Sequence, residues 1–191
     1  MKIALFFGSF NPVHVGHLII ANTIANQPSI DRVWFVVSPQ NPFKEKKSLL
    51  HEFDRYDLIK MAIEDSPQLD VSNIEFSMPK PSYTIDTLTQ LKEQFPSYEF
   101  SIIMGSDNLG DLHKWKNYEA ILKYYEVIIF PRPHYVMPKK YQNHPSIHVL
   151  QVPLLDISAT YIRKQIQSGK NIRFLVSDVV KDRIEEKGLY L

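Results

Sequence analysis

Four short segments, residues 3–7, 33–37, 100–104 and 127–130, are apolar but for Ser101 and rich in β-branched and aromatic side chains, with no regular alternation of polar and apolar residues. A strand with one wet face alternates; a strand covered on both faces does not, and strands of that kind belong to parallel sheets packed between layers of helix. Between them the spacing of apolar residues predicts helices over 18–25, 53–63, 85–95 and 118–124. The order β, α, β, α predicts an α/β fold, a doubly wound parallel sheet with helices on both faces, in which ligands bind beyond the carboxyl ends of the strands. A further strand is expected over 147–152, after a polar, proline-containing stretch at 132–145.

The chain has 191 residues, a length suited to one domain over 1–191. Its 22 basic and 21 acidic residues leave a net charge of +1, so no global field favours a long polyanion, and nucleic acid is not expected as a partner. The absence of cysteine excludes disulfides, a thiolate nucleophile and thiolate zinc sites. The apolar run at the N-terminus is too short to span a membrane and lacks a signal-peptide cleavage site, so a cytoplasmic protein without membrane association is expected. Composition leaves a homo-oligomer open.

Two motifs carry chemistry. Residues 8–17 read Gly-Ser-Phe-Asn-Pro-Val-His-Val-Gly-His, a passage from a buried strand through a tight loop into a helix. Gly8 lets backbone approach a ligand, and a helix N-terminus offers unpaired N–H groups and the positive end of a dipole, a natural phosphate site. His14 and His17, three apart, can share one face there. An isolated histidine more often caps or packs; a pair directly after a buried strand points to an anion. A zinc pair would need different spacing and a third ligand, and neither the dinucleotide glycine fingerprint nor the P-loop lysine is present. Near the other end, residues 157–163 read Ile-Ser-Ala-Thr-Tyr-Ile-Arg. Ser158 or Thr160 can cap a helix, and Arg163 lies one turn beyond Thr160, so a hydroxyl, a helix terminus and a guanidinium converge.

Together these motifs resemble those of the nucleotidyltransferases of the HIGH-type α/β superfamily, whose fold is a Rossmann-like sheet. The middle of the chain, Pro-Ser-Tyr-Thr at 81–84 and Gly-Ser-Asp-Asn-Leu at 105–109 followed by Trp115, resembles bacterial nicotinate-nucleotide adenylyltransferases in particular. The resemblance implies that ATP and nicotinate mononucleotide are joined to deamido-NAD, with release of pyrophosphate and with magnesium, by direct attack of the acceptor phosphate on the α-phosphorus. It implies that His14 and His17 bind the ATP phosphates and that Ser158, Thr160 and Arg163 hold the outgoing pyrophosphate, with Gly16 and Ile157 among the ATP-binding positions. Gly8, Ser9 and Phe10 would line the meeting point of the substrates. Gly105 and Asp107 would lie by ribose and adenine, Thr84 and Trp115 by the nicotinate ring, and Lys44 by the acceptor phosphate. Arg132 is left between an ATP contact and a local ion pair. No carboxylate cluster looks able to cage a metal, so magnesium is expected to arrive on the triphosphate, with no protein metal site.

Sister enzymes with the same ATP chemistry and a different acceptor, such as nicotinamide mononucleotide or phosphopantetheine, are the nearest alternative; the segments around Thr84 and Trp115 favour nicotinate mononucleotide. A silent nucleotide-binding regulator is the alternative outside catalysis.

Overall fold

The computed structural model describes residues 1–40 and 49–191. Its sheet has six strands: β1 (Lys2–Gly8), β2 (Arg32–Val37), β3 (Leu69–Ser72), β4 (Glu99–Gly105), β5 (Glu126–Phe130) and β6 (Ile147–Val149). They lie in the order β3-β2-β1-β4-β5-β6, and every pairing is parallel. The order reverses at β1, between β2 and β4, which is where an open α/β sheet leaves a crevice beyond its strand ends.

The apolar runs are explained by two cores, one on each face. Along β1, Ala4 and Phe6 enter one core while Ile3 and Leu5 enter the other, the period-two alternation of a strand buried on both sides. The first core receives α1 (Val15–Ala25), α2 (Glu52–Ala62), α6 (Ala159–Gln167) and α7 (Asp178–Lys187), through residues such as Ile20, Leu58, Ile162 and Val180. The second receives α3 (Thr84–Gln94), α4 (Ser106–Leu109) and α5 (Tyr118–Tyr124), through Leu88, Leu109 and Ile121. The doubly wound expectation holds.

Three local expectations change. β3 lies at the sheet edge and alternates, with only Val71 buried, so it carries too little apolar signal to be read as a strand. The strand expected over 147–152 stops at Val149, although the N–H of Leu150 still donates to the carbonyl of Ile129 at 2.8 Å. α1 starts at Val15, before the expected 18, with His14 as its N-cap and His17 in its first turn. No helix among the described residues is long and apolar enough to cross a membrane.

Candidate active site

A cavity of about 470 Å³ opens beyond the carboxyl ends of β1 and β4, walled by the loop after β1, the first turn of α3, the segment around Trp115 and the start of α6. Ten of the residues expected from sequence face it together with Ser9 and Phe10: Gly8, His14, His17, Thr84, Gly105, Asp107, Trp115, Ser158, Thr160 and Arg163. Gly16 and Ile157 stand behind this wall. A Cβ on Gly16 would lie 3.1 Å from the His14 ring and 3.8 Å from Cβ of Ile157, so the glycine leaves room for the His14 ring. Lys44 lies outside the described residues.

The loop after β1 departs from the simple phosphate-loop expectation. A Cβ on Gly8 would sit 2.8 Å from the ring of Phe10, so the missing side chain makes room for that ring, while Gly8 also faces the cavity. Phe10 has φ 45° and is 2% exposed. Its ring meets those of His17 and Phe35 edge-on, at centroid separations of 5.0 and 5.3 Å, an arrangement aromatic pairs favour. The loop is therefore held open by its own core contact. The helix N-terminus is also less free than expected, because the N–H of Val15 donates to the carbonyl of Leu175 at 3.0 Å.

His14 and His17 are stacked, with ring centroids 3.6 Å apart and planes inclined at 24°. The His14 N–H donates to Nδ1 of His17 at 3.3 Å, one half of a capping box. The His14 ring lies over the backbone of His17 as in the other half, yet its buried Nδ1 has no partner within hydrogen-bonding geometry. Burial first, and the positive charge of Arg132 second, lower the His14 pKa to about 3. The imidazole is neutral at pH 7, and its capacity for a hydrogen bond is unspent.

The two ends of the sequence meet at Arg163. Its Nη1 donates to the carbonyl of Asn11 at 2.7 Å and its Nη2 to Oγ1 of Thr160 at 3.2 Å. Ser158 caps α6, its Oγ accepting from the N–H of Tyr161 at 3.2 Å, as expected of a serine N-cap. Across the cavity, Arg132 stands 3.9 Å from Oδ1 of Asp107 and its guanidinium lies 5.3 Å from the centroid of the Phe130 ring. Its backbone N–H donates to Oγ of Ser106 at 2.8 Å. Arg132 thus both pairs locally and faces the cavity. A Cβ on Gly105 would meet Oδ1 of Asp107 and lie 3.1 Å from the Phe130 ring, so a side chain there would displace the Asp107 carboxylate.

Elsewhere on the cavity wall, Thr84 opens α3 and Trp115 follows the 3-10 turn Leu112–Lys114. The two segments are tied by Lys116, whose Nζ lies 2.9 and 2.8 Å from the two carboxylate oxygens of Asp86 and 5.2 Å from the centroid of the Tyr83 ring.

Sequence reasoning missed Arg55. It is 0% exposed; its Nη1 donates to the carbonyls of Ser9 and Ser38, and its Nε to that of Leu50 at 2.8 Å. One buried guanidinium thereby pins the loops after β1 and β2 to the start of α2. The available signal was a basic residue completing the buried i, i+3, i+4 stripe of Arg55, Leu58 and Ile59. No group of three or more His, Cys, Asp or Glu able to hold a metal ion occurs among the described residues.

Residues 5–165 match the family model described as cytidylyltransferase-like. A protein of Cytophaga hutchinsonii named "Probable nicotinate-nucleotide adenylyltransferase" is 51% identical over 190 residues, covering 100% of this chain and 98% of the relative. One of the same name from Flavobacterium psychrophilum is 48% identical over 191 residues, covering 100% and 99%. Among solved structures, Plasmodium falciparum nicotinic acid mononucleotide adenylyltransferase complexed with NaAD superimposes with a TM-score of 0.85 at 24% identity, covering 99% of this chain and 97% of that one. At that identity the superposition establishes a shared fold.

Proposed function

The chain belongs to the cytidylyltransferase-like family and, within it, to the nicotinate-nucleotide adenylyltransferases, and on that premise we propose that its cavity transfers the adenylyl group of ATP to nicotinate mononucleotide. An oxygen of the acceptor phosphate forms a bond to the α-phosphorus, the bond from that phosphorus to the bridging oxygen breaks, and pyrophosphate leaves with the electron pair; the other product is deamido-NAD. The domain spans 1–191 in this reading.

The observation that carries the proposal is the bond from Arg163 to the Asn11 carbonyl, which sets the hydroxyls and guanidinium of the last motif against the histidines of the first. The acceptor phosphate is anionic at neutral pH, so little general-base help is needed, and positioning with charge neutralisation dominates the barrier. His14, neutral and facing the cavity, acts as a hydrogen-bonding group for phosphate oxygens; positive charge comes from Arg163 and Arg132. Asp107 is placed to accept from ribose hydroxyls. The N–H groups of Asp86 and Thr87 both donate to the Tyr83 carbonyl, at 2.9 and 3.1 Å, and those of Thr84 and Ile85 in the first turn of α3 are offered to the nicotinate carboxylate. Trp115 supplies an aromatic plane for the pyridine ring.

Magnesium fits as a companion of the triphosphate: among the described residues, the carboxylates facing the cavity, Glu75 and Asp107, belong to no cluster able to hold an ion. Magnesium brought in on the phosphate oxygens would add charge neutralisation and keep several waters.

The test is pyrophosphate release from ATP and magnesium with nicotinate mononucleotide and with nicotinamide mononucleotide as acceptors. A higher kcat/KM for the acid is expected. Equal use would contradict the assignment of the Thr84 turn, and release with neither would contradict the proposal.

A further inference from the structure

Glu75 lies in a single 3-10 turn (Ile74–Ser77) directly after the edge strand β3 and is 2% exposed. Its partners are hydroxyls. Oε2 accepts from Ser82 at 2.6 Å and Oε1 from Thr87 at 2.8 Å, and the Ser38 hydroxyl acts on the same carboxyl as a third and weaker influence. These come from three places: Ser38 from the end of β2, Ser82 from the segment entering α3, and Thr87 from the first turn of α3 itself. Ser82 is 8% and Thr87 0% exposed, so these two bonds are buried; Ser38 is partly exposed, and Glu75, Ser38 and Ser82 also face the cavity beside Thr84. Burying a carboxyl is costly unless it is hydrogen-bonded, and an apolar residue of the same size would avoid that cost. Burial raises the Glu75 pKa above its ordinary value, and the hydroxyl bonds oppose part of that rise.

We propose that Glu75 is a positioning residue for acceptor recognition: by gathering Ser38, Ser82 and Thr87 onto one carboxyl group, it fixes the first turn of α3 in the place where Thr84 meets the pyridine carboxylate. The inference rests on the reading of Thr84 given above. Glu75 itself does not contact the reacting phosphates. It acts through the turn, and a displacement of that turn weakens acceptor binding while leaving the ATP side, built on His14, His17 and Arg163, in place.

The experiment is steady-state kinetics of the wild-type chain, Glu75→Gln and Ser82→Ala, varying nicotinate mononucleotide and ATP separately, with thermal melts of all three. The amide of Glu75→Gln keeps the size but presents an N–H where one hydroxyl donates. A rise of about tenfold in the acceptor KM is expected, as for loss of a bond to a charged group, with the ATP KM within about twofold and kcat little changed. Ser82→Ala, which removes one donor and leaves the carboxyl, is expected to shift the acceptor KM in the same direction by less, and it carries the test if Glu75→Gln does not fold. Either variant should also narrow the preference for the acid over nicotinamide mononucleotide. An unchanged acceptor KM in both variants, or a fall of all parameters together in step with the melts, would overturn the inference and leave the proposed reaction standing. Absence of turnover by the wild-type chain would overturn both.

Discussion

Arg163 and Asn11 stand 152 positions apart in the chain, and the guanidinium Nη1 of one donates to the carbonyl of the other at 2.7 Å. The same guanidinium takes Oγ1 of Thr160 with its other nitrogen, so its plane is oriented before any substrate arrives. A planar fork can hold both acceptors and still present an edge to phosphate oxygens. Lysine keeps the charge and loses the fork. Arg163→Lys is expected to lower kcat/KM by about two orders of magnitude with little change in melting temperature.

The stacked pair predicts a different consequence for His17. Its ring is held between His14 and Phe10, a preorganised donor rather than one recruited on binding. His17→Ala is expected to reduce kcat by about 10²–10³-fold while ATP affinity, measured by equilibrium titration, changes far less. A chain that only binds nucleotide would show the loss in affinity instead.

His14 makes stability depend on pH with a definite sign. Its folded pKa of about 3 lies below the ordinary value of 6.5. Between those values the unfolded chain binds a proton that the folded chain refuses, so this contribution to stability is complete above about pH 6.5 and is lost as pH falls toward 3. The slope in that window approaches one proton, about 1.4 kcal/mol per pH unit. Glu75, with a raised folded pKa, acts in the opposite sense: its contribution is complete below its unfolded value near 4.5 and is lost as pH rises through its folded pKa. Urea melts of the wild-type chain and His14→Gln across pH 4 to 8 separate the two, since the variant should lose the acid-side slope belonging to His14.

Arg55 predicts a large effect from a residue that does not touch substrate. Arg55→Met fills the stripe of α2 but leaves the carbonyls of Ser9, Ser38 and Leu50 without their donor. A loss of about 3 kcal/mol in unfolding free energy is expected, since each buried acceptor left unpaired costs about 1–3 kcal/mol. A change below about 1 kcal/mol in denaturant titration would show that water or another side chain replaces the guanidinium.

Much of the fold could be read from the sequence because its central strands carry the same signal on both faces; β1 shows it plainly in Ile3 and Leu5 against Ala4 and Phe6. β3 could not be read this way, as Asp70 and Ser72 lie at an edge where one buried residue, Val71, suffices. α7 was equally quiet: Val180 and Ile184 are its buried residues in a helix otherwise rich in charge. The histidines and the Ser158–Arg163 cluster were legible because each motif is contiguous. Arg55 and Glu75 were not, since their partners are carbonyls and hydroxyls supplied by folding from other segments. At position 8 nothing in the sequence pointed to the Phe10 ring, two residues on, which lies where a side chain would stand.

The most direct measurement follows the α-phosphorus itself. The chain would be incubated with ATP labelled at that position, magnesium and nicotinate mononucleotide, and the label traced among dinucleotide, AMP and protein. The account predicts label in deamido-NAD matched one-to-one by pyrophosphate, with none retained on the protein. Label left in ATP, released as AMP or bound covalently to the chain would contradict it.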